Sequence, residues 1–179
     1  FGLAGAIVMG TGNQPNLVLG AGRFICKIIA LFRGWECRSP LVDNMAVGAY
    51  EKAFQGETDG SNWLSRNPEN VRRYRGDLMC GYMFTVNAYY HMFLGMSRAN
   101  AQEKAGSIPK SLPVLFVAGK DDPVGNFGKG VKKVYKRYKL SGMQNVKIRL
   151  YEEDRHEILN ELDREQVYQD LLLWLDKNN

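Results

Sequence analysis

The sequence predicts an α/β protein whose carboxyl-terminal part is a mostly parallel sheet with helices packed against it. Three observations carry this expectation. PVLFVAG, residues 113–119, is a short and continuously apolar run, as in a strand buried on both faces. A basic segment of helical periodicity follows, then a second strand-like run, VKIRLYE at 146–152, and then an amphipathic terminal stretch. Strand, helix, strand, helix is a βαβα unit, and its parallel strands require a right-handed crossover.

Taken in order, residues 3–9 read as a buried strand, ended by the turn chemistry of Gly10-Thr11-Gly12. A mostly apolar helical stretch follows from about Asn16 to Phe32. Residues 33–80 are mixed, with the turn-rich GETDGSNWLSR and a short helix at PENVRRY, where Pro68 suits a first helical position. MCGYMFTVNAYYHMFLGM, residues 79–96, is dense in methionine and aromatic side chains. After PVLFVAG comes KDDPVGN, a loop at the strand's carboxyl end. The next helix covers about 128–140, with Val131, Val134, Tyr135 and Tyr138 recurring among Lys132, Lys133, Lys136, Arg137 and Lys139. The last helix, about 161–176, carries a stripe of Val167, Tyr168, Leu171, Leu172, Trp174 and Leu175. Roughly a hundred residues separate the first strand from PVLFVAG, too many for a plain crossover. The expected division is a core strand at 1–14, a long insertion at 15–108 that family resemblance makes a helical cap, and a βαβα core unit at 109–179.

Composition narrows the function classes. At 179 residues the chain is long enough for one domain with a sizeable core. No apolar run reaches membrane-spanning length, since Lys27 breaks FICKII and Arg33 ends ALF, so membrane contact is expected to be peripheral at most. FGLAGAIVMG lacks the basic start of a secretory leader. Cys26, Cys37 and Cys80 show no metal-ligand spacing and point to reduced thiols and a cytoplasmic setting. The net charge of +5 gathers in GKGVKKVYKRYK, read as a solvated helix face and not as a nucleic-acid site. No cofactor motif is found. The chain begins at Phe1 inside a strand-like run, so a further piece of the protein is expected upstream.

In open α/β sheets, functional groups gather beyond the carboxyl ends of the strands. Two polar clusters stand there: Asp121-Asp122 after PVLFVAG, and His156 after VKIRLYEED. One βα unit separates them, which makes their loops neighbours on one rim. A carboxylate in that position accepts the imidazole Nδ1–H, fixing the tautomer and leaving Nε2 to act as general base. The competing reading, an aspartate that caps a turn and a histidine that only packs, is equally compatible with position alone. A zinc-helix reading of DRHEILNE fails, because Asn160 stands where the second histidine of H-E-x-x-H is required. His91 lies in an aromatic stretch and reads as a lid or core residue. No metal is expected.

PVLFVAGKDDPVG, VKIRLYEEDRHEILNE and the terminal DLLLWL resemble the end of an α/β-hydrolase of the lysophospholipase and monoacylglycerol-lipase-like group, within the serine aminopeptidase family. NWLSRNPENVRRY and GDLMCGYMFTVNAYYHM resemble the cap of bacterial members, and LAGAIVMGTG resembles the strand after the nucleophile helix. The resemblance implies Asp122 as triad acid, in preference to Asp121, and His156 as triad base. It also implies a serine in a G-x-S-x-G elbow before Asp122. No G-x-S-x-G occurs among these residues, and GMSRA, centred on Ser97, follows a helical run and has Ala99 in place of the second glycine. The nucleophile is therefore expected outside these residues, on an N-terminal segment or a separate chain, and the 179 residues alone are expected to hydrolyse no ester. The implied cap offers Tyr82, Phe84, Tyr89, Met92 and Phe93 as an adaptable apolar acyl pocket. The expected function is ester hydrolysis on lipid-like substrates such as lysophospholipids or monoacylglycerols. The alternative is a catalytically inactive module that binds a small apolar ligand or a partner protein.

Overall fold

The computed structural model describes residues 2–54, 60–100 and 107–178. Part of the turn-rich GETDGSNWLSR, residues 56–59, lies outside them. In chain order the main elements are β1 (Ala6–Met9), α1 (Asn16–Arg33), α2 (Pro40–Asp43), α3 (Ala49–Glu51), α4 (Pro68–Gly76), α5 (Val86–Ala99), β2 (Val114–Gly119), α6 (Lys129–Leu140), β3 (Val146–Tyr151) and α7 (Arg164–Asn178).

The strands form a parallel sheet in the order β1-β2-β3, with Ala6 beside Val114 and Val114 beside Val146. β2 is central and buried at every residue, as its unbroken apolar run requires. Successive side chains of a strand point to opposite faces. Val114, Phe116 and Ala118 accordingly pack with Val131 and Val134 of α6, while Leu115 and Val117 pack with Val167 and Trp174 of α7. β3 alternates, with Lys147 and Arg149 exposed.

The terminal helix differs from its expected stripe. Val167, Leu171 and Trp174, spaced four and three residues apart, face the sheet; Tyr168, Leu172 and Leu175 are exposed. At 3.6 residues per turn, a side chain one place beyond each contact is already turned well aside from that seam. The helix also begins at Arg164, because residues 158–160 form a 3₁₀ turn first.

The helices before β2 have a core of their own. Leu19, Cys26 and Ala30 of α1 pack on Val86, Tyr89 and Phe93 of α5, with Val42 of α2 beside them. Gly22 lets the two helices approach: a Cβ there would stand 2.9 Å from the Phe93 ring. Asn67 caps α4 by accepting from the Glu69 N–H at 3.1 Å, and Thr85 caps α5 by accepting from the Ala88 N–H at 3.2 Å. The carbonyl of Asn100, just after α5, accepts from Arg137 of α6 at 2.7 Å, and its side-chain amide donates to the Gln14 carbonyl at 2.7 Å. These bonds hold the helical layer over the carboxyl end of β1. Among the described residues no helix is long and apolar enough to cross a membrane.

Candidate active site

The loops after β2 and β3 meet, and backbone bonds join them. Lys120 donates its N–H to the Tyr151 carbonyl at 2.7 Å, and Asp121 donates to that of Asp154 at 2.9 Å. Gly119 permits the contact, since a Cβ on it would fall 2.1 Å from the Asp154 oxygen and 2.2 Å from that of Arg155.

Asp122 is fully buried. Its Oδ1 accepts the Val124 N–H at 2.8 Å, its backbone carbonyl accepts the Phe127 N–H at 2.9 Å, and its Oδ2 lies 3.0 Å from His156 Nδ1. One bond within its own loop thus orients the carboxylate toward the imidazole, and a second fixes the main chain beneath it. Asp121, by contrast, is exposed and engages the histidine loop only through its backbone.

Two further groups confine the ring. Gly10, at the end of β1, has a φ of 61°, and a Cβ on it would stand 3.0 Å from His156 Cε1. The Trp63 ring lies 5.4 Å from the imidazole, centroid to centroid, tilted by 40°. Trp63 belongs to a segment that runs along the histidine loop. The His156 N–H donates to the Trp63 carbonyl at 3.4 Å, the Glu157 N–H to that of Leu64 at 2.8 Å, and Arg155 Nη1 to that of Asn62 at 2.8 Å.

His156 opens onto a mainly apolar cavity of about 400 Å³. Leu19 and Gly22 of α1 line it, with Met92, Phe93 and Met96 of α5. Met45, Ala46 and Val47 come from a π-helical turn, residues 44–48, that joins α2 to α3. Such wide turns aim side chains that a regular helix would rotate away. Tyr50 also borders the cavity. Burial raises its hydroxyl above the usual range and the Asp122 charge adds to this, against a hydrogen bond with Gln14, so it stays protonated at neutral pH.

The structure brings Asp122 and His156 together and puts Met92 and Phe93 in the cavity wall. Tyr89 is buried within the α1–α5 core, where its hydroxyl bonds Asp43. Tyr82 and Phe84 pair with each other, ring centroids 5.5 Å apart, and are not in this cavity's lining. They precede the cap residue Thr85, so they belong to the loop entering α5 and not to its inward face. His91 is exposed beside Tyr90, and Ser97 lies inside α5 next to Met96. Among the described residues no group of three or more His, Cys, Asp and Glu side chains is placed to hold a metal ion. Trp63, Tyr50 and Gly10 were not singled out as site residues from sequence. A tryptophan amid the polar turn residues of GSNWLSR was the available signal for the first.

The model of the serine aminopeptidase S33 family matches residues 4–163. The chain belongs to this family. Solved structures place this serine aminopeptidase family member in the α/β-hydrolase fold. It superposes on a thermostable carboxyl esterase from Bacillus coagulans with a TM-score of 0.84 at 26% identity, covering 98% of this chain and 57% of that one. A structure described as a lipase in its open form gives 0.83 at 23% identity, with 98% and 57% covered. The monoacylglycerol lipase of Paleococcus ferrophilus gives 0.67 at 17%, with 99% and 60% covered. The chain thus spans less than two thirds of these relatives' length. Among curated proteins no significant match is found.

Proposed function

We propose that this chain carries the acid–base pair, the cap and the acyl-binding cavity of a serine ester hydrolase acting on lipid-like acyl esters such as monoacylglycerols or lysophospholipids. The nucleophile stands on a G-x-S-x-G segment outside these 179 residues. The observation that carries the reading is His156 Nδ1 at 3.0 Å from the buried Asp122, with the same histidine bordering an apolar cavity. In this reading Asp122 holds the ring in one tautomer, and His156 takes the serine proton and returns it to the leaving alcohol. Esterase and lipase structures among the similar folds support the reaction class, and the methionine-lined wall supports a flexible acyl chain.

The test uses the whole protein. It should take a fluorophosphonate label and cleave p-nitrophenyl butyrate, and Asp122→Asn should lower kcat by about 10⁴-fold, as loss of a triad acid does by stranding the wrong tautomer. An unchanged rate would remove Asp122 from the mechanism. The absence of G-x-S-x-G among these residues favours one other reading, a non-catalytic module that binds a small apolar ligand. A whole protein that takes no label but binds a fluorescent acyl chain in this cavity would establish it.

A further inference from the structure

Behind the imidazole lies a cluster of charges that the acid–base pair does not use. Glu161 is fully buried, yet its carboxylate is well satisfied. Oε1 accepts the Arg155 N–H at 3.0 Å and the Arg66 N–H at 3.1 Å; Oε2 lies 3.2 Å from the same Arg66 nitrogen. The Arg66 guanidinium stands over it, with Nε 3.7 Å from Oε2, and also reaches Glu153, Asp154 and Asp163 at 2.8, 3.1 and 2.8 Å. A carboxylate withdrawn from water is tolerated only when hydrogen bonds and an opposite charge replace its hydration. Glu161 therefore demands that both N–H groups be presented to it together.

Those two N–H groups belong to the histidine's own loop and to the segment that carries Trp63. Arg155 immediately precedes His156, and Arg66 lies three residues beyond Trp63. Between them run the bonds from His156 and Glu157 to the carbonyls of Trp63 and Leu64. A second tie lies on the far side of the histidine, where the Glu157 carboxylate accepts from Asn70 Nδ2 at 2.6 Å and Asn160 Nδ2 at 3.1 Å. We infer that Glu161 is a positioning residue for His156. Its carboxylate clamps the cap segment 62–66 to the histidine loop and so fixes the imidazole between Asp122, Trp63 and Gly10. It touches no reacting atom. Its importance rests on the reading of His156 as a base, but the orientation of the ring is measurable without turnover.

The experiment follows the ring by its ¹⁵N chemical shifts in histidine-labelled protein, together with Trp63 as a nearby reporter of ring-current change. Glu161→Gln keeps the size of the side chain but removes its charge and one acceptor oxygen. It should move the His156 Nδ1 and Nε2 signals and broaden the Nδ1–H resonance, whereas Glu165→Gln, an exposed acid on α7, should leave them in place. Glu161→Asp keeps the charge and withdraws the carboxylate by one methylene, so it should move the same signals if the glutamine variant does not fold. Imidazole signals identical to wild type in whichever variant folds, even with a lowered Tm, would overturn the inference and leave Glu161 a merely structural acid. Ring signals that move, in a whole protein that takes no fluorophosphonate label, would uphold the positioning role and sink the hydrolase reading.

Discussion

Gly10 combines two demands on a single residue. Its φ of 61° lies in the left-handed region, which costs a residue with a Cβ about 1–2 kcal/mol. A Cβ there would also press on the His156 ring at 3.0 Å. Gly10→Ala should therefore lower Tm and displace the imidazole from Asp122 at the same time. Thermal melting read beside the ring ¹⁵N shifts checks both, and a variant that loses stability while the ring signals hold would show that the ring is free to yield. That the Asp122 and His156 loops adjoin was legible in the sequence, because both follow strands one βα unit apart, but position alone left open whether the two side chains meet. Choosing Asp122 over Asp121 needed the family resemblance, since adjacent aspartates look alike in sequence while only one side chain is buried. Trp63 was not legible as a ring neighbour, because nothing local tells a turn-rich segment which distant loop it lies along.

At the scale of elements, the end of β2 and the loop after β3 are fitted backbone to backbone. Gly119 faces two carbonyl oxygens at distances that no Cβ contact attains, 2.1 and 2.2 Å, and rigid main chain cannot swing aside as a long side chain would. Gly119→Ala should push the histidine loop off the sheet end and break the Asp121-to-Asp154 bond. Faster hydrogen exchange at the Asp121 amide, beyond any change at the Val117 amide, would report this; equal protection at both would contradict it. β1 and β2 were legible because short apolar runs of their length are distinctive, β3 because its apolar and charged residues alternate, and α6 because its valines and tyrosines keep helical spacing. The terminal helix was over-read: its leucines continue the apolar pattern past the seam that the sheet covers. Tyr82 and Phe84 share the aromatic composition of α5 but precede its cap at Thr85, so their place outside the lining of this cavity was not legible from composition. The π-helical turn at 44–48 carries no distinctive sequence signature, so the facing of Met45 and Val47 toward the cavity was not legible.

Across the whole molecule, the buried acids make stability depend on pH. Burial above all, then the neighbouring Asp163 and Glu161, push the Asp154 carboxyl up to about 7, against the pull of Arg66. Asp154 Oδ2 is buried without a donor, and the bond between the Asp154 and Asp163 carboxyls is one that only the protonated form of Asp154 can donate. Asp163 is held below the usual range, burial being outweighed by its bonds to Asp154, its own backbone and Arg66, so it is ionised throughout the window concerned. Between the ordinary carboxyl value of 3.8 and about 7, the folded state keeps a proton on Asp154 that the unfolded chain has released. Stability should then fall as pH rises through that window and level off above it. Asp154→Asn, which has no such proton to lose, should flatten the slope; urea midpoints measured from pH 4 to 8 decide this, and an unaltered slope would reassign the titration. The contacts around the imidazole also differ in the length of chain that they close. The Asp122–His156 contact closes a loop of 34 residues, whereas the bond from Arg155 to Asn62 beside Trp63 closes one of 93. By the logarithmic growth of closure entropy the longer loop costs about 1 kcal/mol more. Collapse of the open chain will therefore bring aspartate to the histidine more readily than it brings tryptophan.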